Sequence, residues 1–407
     1  MICVPEAADD GHGVTAGTWL AGLGTVLREW GRIGITGFGG PPAHIALLRR
    51  LCVQDREWLD ATEFEDAIAA CNLLPGPAST ELAIFCAWRV RGRAGAVAGG
   101  LAFILPGLII ILFLSALFLA GAPPLWVRGA GAGAGAAVAA VAATTGWSLV
   151  RPSWKRASAR EPVRASRLRW ASYLLAGGAA AATIGPWLVF VLLGCGVVEL
   201  AWRRWSWRPS AVPVIAPLFL KPLFPALLSG GVLASVAWVA FKVGALSFGG
   251  GFVIIPLMQA DAVGRHWMTN DQFLNAVALG QITPGPVVQT VAAVGYAAAG
   301  LPGGLLAAVV AFSPSFAFVL GGGRYFSALR ENRAAQSFLD GAGPAAIGAI
   351  FGAAILLARV LSVGWQFAVL AGAAVLLLAL RRGVVLTLLS AAVVGLIVAF
   401  AGGPLPR

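Results

Sequence analysis

The stretch Phe38-Gly39-Gly40-Pro41 decides the fold of this chain, because a stretch of the same kind, Phe248-Gly249-Gly250-Gly251, returns in the second half. Each of these glycine-rich breaks is followed by the turn Pro-Gly-Pro, first at residues 75–77 and again at residues 284–286. Glycine and proline interrupt helices, and backbone groups freed inside a bilayer are tolerated only beside protein or a water-filled cavity. The sequence therefore predicts broken or re-entrant helices at matching places in two halves.

The composition is that of an integral membrane protein. Of the 407 residues, 59% are hydrophobic and 11% are charged, whereas a soluble domain carries about 25% charged residues. Several apolar segments approach or exceed the roughly 20 residues that cross a bilayer as a helix. Clear examples are residues 94–120, 125–150, 273–299 and 384–400. The expected fold class is an all-α polytopic membrane protein.

The charge and the cysteines exclude several other functions. The net charge is +12, but no stacking platform or basic helix suggests nucleic-acid binding. Basic loops are instead expected to set the orientation in the membrane. The five cysteines are scattered without a CxxC pair, so neither a disulfide framework nor a metal cluster is predicted, and no cofactor is expected.

An internal repeat extends well beyond the two breaks. Alignment of Phe38 on Phe248 also superposes Gly34 on Gly244, Arg32 on Lys242 and, after one deletion, Trp58 on Trp267, Phe64 on Phe273 and the first Pro-Gly-Pro turn on the second. A shared order over about 50 residues indicates duplication. We expect two homologous halves, residues 1–200 and 227–407, joined by a connector at residues 201–226.

Loop charges in the first half predict its orientation. The arginines at residues 89–93 and the basic stretch at residues 151–169 mark cytoplasmic loops. The loop at residues 52–66 is acidic overall and is expected to be external.

In the second half the charge pattern is displaced by one crossing. The neutral loop at residues 300–303 is expected to be external, and Arg265 and the pair Arg381 and Arg382 cytoplasmic. The halves are therefore expected to be inverted repeats, which requires an odd number of crossings between equivalent points. Either the broken segments dip into the membrane and return, or residues 211–225 supply an extra crossing.

Helix ends and buried charges mark the candidate site. A helix N-terminus inside the membrane favours an anion, although glycines are also common where membrane helices pack closely. Arg32 and Lys242 are repeat equivalents that together can neutralise a dianion, and the expected partner of Lys242 is that anion or Glu81. For both cations the alternative is a side chain that reaches the membrane surface.

Two titratable side chains lie close to the first break and its turn. Glu81 follows the turn by about one helical turn, and a carboxylate embedded in the membrane can exchange protons; its alternative role is to pair with an arginine. His44 can titrate or donate to a substrate, and its alternative is a structural role.

The candidate substrate-binding residues follow from these patterns. Those of the first half are Arg32, Phe38, Gly39, Gly40, His44, Asn72, Pro75, Gly76, Pro77 and Glu81. Those of the second half are Lys242, Phe248, Gly249, Gly250, Gln281, Pro284, Gly285 and Pro286. Polar side chains beside the turns can donate hydrogen bonds to an oxyanion, although such side chains also hold helices together.

No motif of a known enzyme class is present. The sequence lacks GxSxG, HExxH and a Walker A motif. A membrane-embedded enzyme is therefore the weaker alternative, and the pattern favours a transporter driven by an ion gradient or by the membrane potential.

The motifs resemble those of a known family. Residues 36–46, TGFGGPPAHIA, and residues 72–77, NLLPGP, resemble the N-terminal signature of the chromate ion transporter family. Residues 247–251 and 281–286 are similar to the C-terminal counterparts, so that nearly the whole chain resembles the long two-domain form.

The resemblance implies a function and a location. It implies efflux of chromate from the bacterial cytoplasm across the inner membrane, which confers chromate resistance. Sulfate or another oxyanion is the alternative substrate. The expected mechanism is alternating access at a site between the halves, with the lipid bilayer as partner, a proton as a candidate coupling ion and a homo-oligomer as one assembly.

Overall fold

The computed structural model describes residues 20–72, 76–119, 123–159, 162–205, 231–247, 253–322 and 332–406, and within them the chain is helical without a strand. The first half contains α1 (Leu23–Thr36), α2 (Pro41–Arg49, continued by a π-helical segment, Arg50–Asp55), α3 (Ala61–Cys71), α4 (Ala78–Phe118), α5 (Leu125–Ser158), α6 (Val163–Thr183) and α7 (Leu188–Trp205). The second half contains α8 (Val232–Ala245), α9 (Ile254–Gly264), α10 (Asn270–Ile282), α11 (Thr290–Gly322), α12 (Arg333–Val360), α13 (Gly364–Ala374, continued by a π-helical segment, Val375–Ala379) and α14 (Val384–Phe400). Short 3₁₀ turns occur at Gly185–Trp187 and Val287–Gln289.

The repeat predicted from the sequence is present in the details of the backbone. Glu57 and His266, which coincide when the two Pro-Gly-Pro turns are aligned, both have positive φ angles, 49° and 58°. The pairs Arg91–Gly92 and Ala299–Gly300 have the same non-helical angles within 5°, and they interrupt α4 and α11 at equivalent points. The helices α1 to α7 are thus matched by α8 to α14.

Side-chain contacts repeat in the same way. The Arg56 guanidinium lies over the Trp58 ring at 5.8 Å, and that of Arg265 lies over the Trp267 ring at 5.7 Å. The ends of α2 and α9 therefore share one local structure, which the Arg-x-Trp spacing in the sequence specifies twice.

The helices α4 and α11 each consist of two arms that fold back on each other. In α4 the reversal is at Arg91–Gly92, after which a Cβ at Gly99 would collide with the Ala87 side chain. In α11 a Cβ at Gly295 would likewise collide with the carbonyl oxygen of Gly303. Small residues allow this close approach of helix backbones. Among the described residues, α4, α5, α11 (extended to Val287) and α12 are long and apolar enough to cross a membrane.

The first break lies at the tip of a re-entrant hairpin. The chain returns from the first break through α2, so that Arg56 donates to Glu29 of α1 at 2.8 Å. In the next hairpin, α3 leads in and the first arm of α4 leads out, and Glu63 at the start of α3 pairs with Arg89 at the end of that arm. The broken segments therefore dip in and return. The alternative crossing at residues 211–225 falls outside the described residues.

This geometry places residues 52–66 beside the basic loops. Glu63 pairs with Arg89, and Glu65 lines the same cavity as Arg156 and Arg169. We call this side of the molecule the basic end and the opposite side the far end. The expectation that residues 52–66 lie on the opposite side from the basic loops is wrong, because a re-entrant hairpin returns the chain to the side from which it entered.

The two halves are inverted relative to each other. At 1.5 Å per residue, α5 is about 51 Å long. Its N-terminal part packs against α10, where a Cβ at Gly131 would touch Asn275. Its C-terminal part faces α3 across a cavity that Leu149 and Asn72 both line. Because α3 and α10 are repeat equivalents, their positions at opposite ends of α5 are those of inverted repeats.

Arg265 lies at the far end. It donates to the Ser235 hydroxyl at 3.1 Å, and α9, which precedes it, packs against the turn at residues 185–187 between α6 and α7. The expectation that Arg265 shares a side with residues 151–169 is wrong for the same reason as before, since α8 and α9 also form a re-entrant hairpin.

The halves are interlocked rather than stacked side by side. α5 packs against α13 and α14 of the second half, and its repeat equivalent α12 packs against α6 and α7 of the first half. A Cβ at Gly133 would collide with the Ala391 carbonyl, and one at Gly177 with the Ala345 carbonyl. Glycine and alanine along these helices thus allow each half to complete the packing of the other.

Candidate functional site

The first break of one half touches the turn of the other. The Gly285 amide donates to the Gly37 carbonyl oxygen at 3.0 Å, and a Cβ at Gly40 would be in ordinary contact with Val287. We call this meeting point, defined by Gly37 and Gly285, the junction. Phe248, Gly249 and Gly250 of the second break and Pro75 of the first turn lie outside the described residues.

The backbone of the first break offers unpaired donors. Gly39 and Gly40 have φ angles of 102° and 72°, which residues with a side chain rarely adopt. Their two amide N–H groups have no partner among the described residues. The first N–H groups of α2 are not free, since Ala43 and His44 donate to the Gly40 carbonyl and prolines precede them. Successive loop amides, rather than the helix end itself, are therefore the candidate anion ligands.

His44 is a fully buried part of this break. Its Nε2 lies 2.9 Å from the Gly37 carbonyl oxygen and its Nδ1 lies 3.3 Å from the Ser79 hydroxyl. A neutral ring that donates through Nε2 and accepts through Nδ1 satisfies both contacts. The same Gly37 oxygen accepts from Gly285, so His44 helps to position the contact between the halves.

Glu81 is buried in the first turn of α4, and the described residues offer it no partner. A Cβ at Gly76 would collide with its Oε1, so the carboxyl group lies directly against the first Pro-Gly-Pro turn. Both carboxyl oxygens are shielded from solvent and have no hydrogen-bond partner among the described residues. The Ser315 hydroxyl lies nearby, 3.5 Å from the same hypothetical Cβ. The expected alternative of an arginine partner is not found in the described part of the chain.

The second turn is held by a hydrogen bond to the first half. Gln289 is fully buried, and its Nε2 donates to the Ile104 carbonyl oxygen of α4 at 2.8 Å. Gly285 has a φ angle of 94°. The Pro284 carbonyl packs so closely on α4 that a Cβ at Gly107 would collide with it. The second turn is thus fixed against the second arm of α4.

Several buried donors around the two turns have no partner. The buried side-chain atoms without a hydrogen bond among the described residues include Thr80 Oγ1, Ser247 Oγ, Gln281 Nε2 and Ser315 Oγ. Unsatisfied buried polar groups are rare and call for a ligand, a water or an ion. Ser79 and Ser315 were not singled out in the sequence. Their signal is a hydroxyl in a predominantly apolar helix, which is common in membrane helices.

The two expected cations are paired elsewhere. The Arg32 side chain is 62% exposed and pairs with Glu29 at 3.2 Å. Lys242 is partly buried and pairs with Asp261 of α9, with the Trp238 ring 5.7 Å away. The expected partner of Lys242, an anion or Glu81, is replaced by Asp261, because the hairpin of α8 and α9 brings that carboxylate beside it.

Two cavities approach the turns from opposite ends. The cavity at the basic end has a volume of about 650 Å³ and reaches Asn72, which directly follows α3 as its C-cap. The cavity at the far end measures about 480 Å³ and reaches Asn275 of α10. Asn275 lies about 1.7 helical turns before Gln281, the equivalent of Asn72. The approach from the basic end is therefore deeper.

Comparison with known proteins agrees with the architecture. The family model described as chromate transporter matches residues 24–200 and 234–396. A chromate transport protein of Cupriavidus metallidurans is 30% identical over 361 residues, covering 87% of each chain. A chromate transport protein of Pseudomonas aeruginosa is 31% identical over 342 residues, covering 81% of this chain and 79% of that protein. No solved structure matches the chain.

The family match covers both halves of the repeat, and the relatives are named as transport proteins rather than as enzymes. Together with the membrane-length helices, this establishes a multi-pass protein of the bacterial inner membrane with a role in chromate transport. The chain belongs to the chromate transporter family.

Proposed function

We propose that this protein exports chromate from the bacterial cytoplasm by alternating access, with the anion bound at the junction. The observation that carries this proposal is the hydrogen bond from Gly285 to Gly37, which joins the two halves at their broken helices. In transporters built from inverted repeats, the substrate site lies where discontinuous helices of the two halves meet. The repeats are residues 1–200 and 227–407, with residues 201–226 as their connector.

The basic end faces the cytoplasm in this proposal. Arginines at residues 89–93 and 151–169 are concentrated there, and cytoplasmic loops of membrane proteins carry an excess of Lys and Arg. The deeper cavity opens at the same end and reaches Asn72. The described conformation therefore corresponds to an inward-facing state, into which cytoplasmic chromate diffuses before the halves move.

The chemistry of the junction suits a tetrahedral oxyanion. The amides of Gly39 and Gly40 and the unpartnered donors Thr80 and Gln281 can hydrogen-bond to an anion without fixed positive charge. Sulfate has the same shape and charge, so it is the alternative substrate. The membrane potential favours export of a negative charge, a proton is a candidate coupling ion, and a homo-oligomer is a candidate assembly.

The proposal is tested by flux measurements on purified protein in liposomes. Radiolabelled chromate is placed on the side of the basic end, a membrane potential is imposed, and accumulation is followed with and without excess sulfate. We expect accumulation against the chromate gradient that protein-free liposomes do not show. Strong competition by sulfate would reassign the substrate, passive equilibration alone would indicate a channel, and no flux of either anion would reject the proposal.

A further inference from the structure

The two halves differ at one position that holds a titratable group. Glu81 follows the first Pro-Gly-Pro turn, and its repeat equivalent after the second turn is Thr290. The Thr290 hydroxyl donates to the Val287 carbonyl oxygen at 2.8 Å, so this position is satisfied in the second half. Both carboxyl oxygens of Glu81 lack such a partner among the described residues. In the described part of the two turns, a buried carboxyl group thus occurs in the first half and not at the equivalent position of the second.

Among the described residues, the surroundings of Glu81 supply no counter-charge. On α3 the neighbouring titratable group is the buried Cys71 thiol. On α2 it is His44, whose two nitrogens face Gly37 and Ser79. The second arm of α11 contributes the Ser315 hydroxyl. The nearest candidate cations by sequence reasoning, Arg32 and Lys242, are paired with Glu29 and Asp261.

The occupancy of the junction by an anion makes an ionised Glu81 still less favourable. A buried charge without a counter-ion or hydrogen bonds is strongly disfavoured, and a like charge in the same site disfavours it further. Because the two binding equilibria are linked, a proton on Glu81 raises the affinity for the anion by the same factor as the anion raises the affinity of Glu81 for the proton. A protonated carboxyl group also offers one O–H donor beside the first turn.

We propose that Glu81 is a proton-binding site that is filled whenever the oxyanion occupies the junction, so that one proton and one anion move together. This inference rests on the proposed function, because it assigns the coupling ion of the same site. The proton is taken up by the Glu81 carboxylate when the anion binds and is released to water when the anion leaves. Transport of a chromate dianion then moves one net negative charge instead of two.

The experiment measures proton and chromate movement together. Purified full-length protein is placed in liposomes that contain a pH-sensitive dye, the membrane potential is clamped with potassium and valinomycin, and radiolabelled chromate is added at several pH values. We expect protons to move in the same direction as chromate at about one per anion. Glu81→Gln, which keeps the shape and removes the charge, is expected to carry chromate without protons.

The same variant controls for the chemistry of the substrate. Chromate itself takes up a proton near neutral pH, but this changes the wild type and Glu81→Gln alike. As the pH is raised, the KM of the wild type divided by that of Glu81→Gln is expected to increase by up to about tenfold per pH unit. The reason is that the wild type must bind a single proton at Glu81 before it binds chromate. Glu63→Gln, at the basic end beside Arg89, is a matched control that retains proton movement.

The outcomes separate this inference from the proposed function. No chromate flux in the wild type would reject the proposed function itself. Chromate flux without proton movement, or unchanged proton movement in Glu81→Gln, would overturn the role of Glu81 alone. If Glu81→Gln does not insert, the wild-type proton-to-chromate ratio decides, and Glu81→Asp is expected to retain proton movement.

Discussion

The two halves share their backbone but differ in the chemistry they place on it. Both carry the Arg-x-Trp contact and the same reversal within a long helix. At the break and the turn, however, the first half has His44 and Glu81 where the second half has Ile254 and Thr290. Duplication therefore supplied a symmetric scaffold, while His44 and Glu81 belong to the first half. The difference indicates that the backbone structure is common to both halves, whereas the titratable side chains at these positions are specific to the first half.

The largest effect is expected from a change that blocks the first break. Gly39→Leu should reduce chromate flux by about 100-fold. The backbone of Gly39 has a positive φ angle, so a leucine there displaces the neighbouring amides. A displacement of about 1 Å in a positioned site has an effect of that size. Flux in liposomes at matched protein content checks this. Gly24→Leu is the control, since open space surrounds that glycine of α1. Near-normal flux in Gly39→Leu would leave the break a packing role only.

The next prediction concerns His44 and its repeat equivalent Ile254, each replaced by leucine. His44→Leu should destabilise the protein by about 1–3 kcal/mol, because it leaves the buried Ser79 hydroxyl unsatisfied and removes a donor from Gly37. Ile254→Leu should change stability by under about 1.5 kcal/mol, since it conserves volume and polarity. Thermal unfolding in detergent measures both. An equal loss in the two variants would place His44 among ordinary core residues.

An effect of similar size is expected at the charged pair of the second half. Lys242→Met should destabilise the protein by about 1–3 kcal/mol, because Arg265, at 3.6 Å, is then the one partner left to Asp261 among the described residues. The double variant Lys242→Met with Asp261→Leu should recover most of that loss, since it leaves no unpaired charge. A double-mutant cycle on unfolding temperature and flux tests the pair. Loss of transport in the double variant at full stability would restore Lys242 as a ligand of the anion.

The smallest effect is expected at the equivalent cation of the first half. Arg32→Ala should alter stability by no more than about 0.5 kcal/mol, because the side chain is mostly exposed and Glu29 retains its bond to Arg56. Chromate uptake should remain near the wild-type level. A large loss of uptake would contradict this and would indicate that Arg32 guides anions towards the junction.

The candidate site was predictable in part. The motif positions Gly39, Gly40 and Gly285 were identified from their repetition alone, and the structure places the first break against the second turn. The partner of Lys242 was not predictable, because Asp261 lies on the next helix and reaches it only because α9 packs back against α8. Ser315 could not be identified either, since nothing in its own helix reveals that the first turn packs against it.

The sequence by itself determined that this is a helical membrane protein with two homologous halves and paired breaks, because hydrophobic segment length, glycine and proline are local properties of the chain. Its charges also indicated the inversion. Only the tertiary structure decided which apolar segments return and which cross, and hence that residues 52–66 lie at the basic end and Arg265 at the far end. The physical reason is that a re-entrant hairpin and a crossing helix bury the same kind of surface, so that their sequences have similar hydropathy. The side on which the chain emerges depends instead on the helices against which each arm packs.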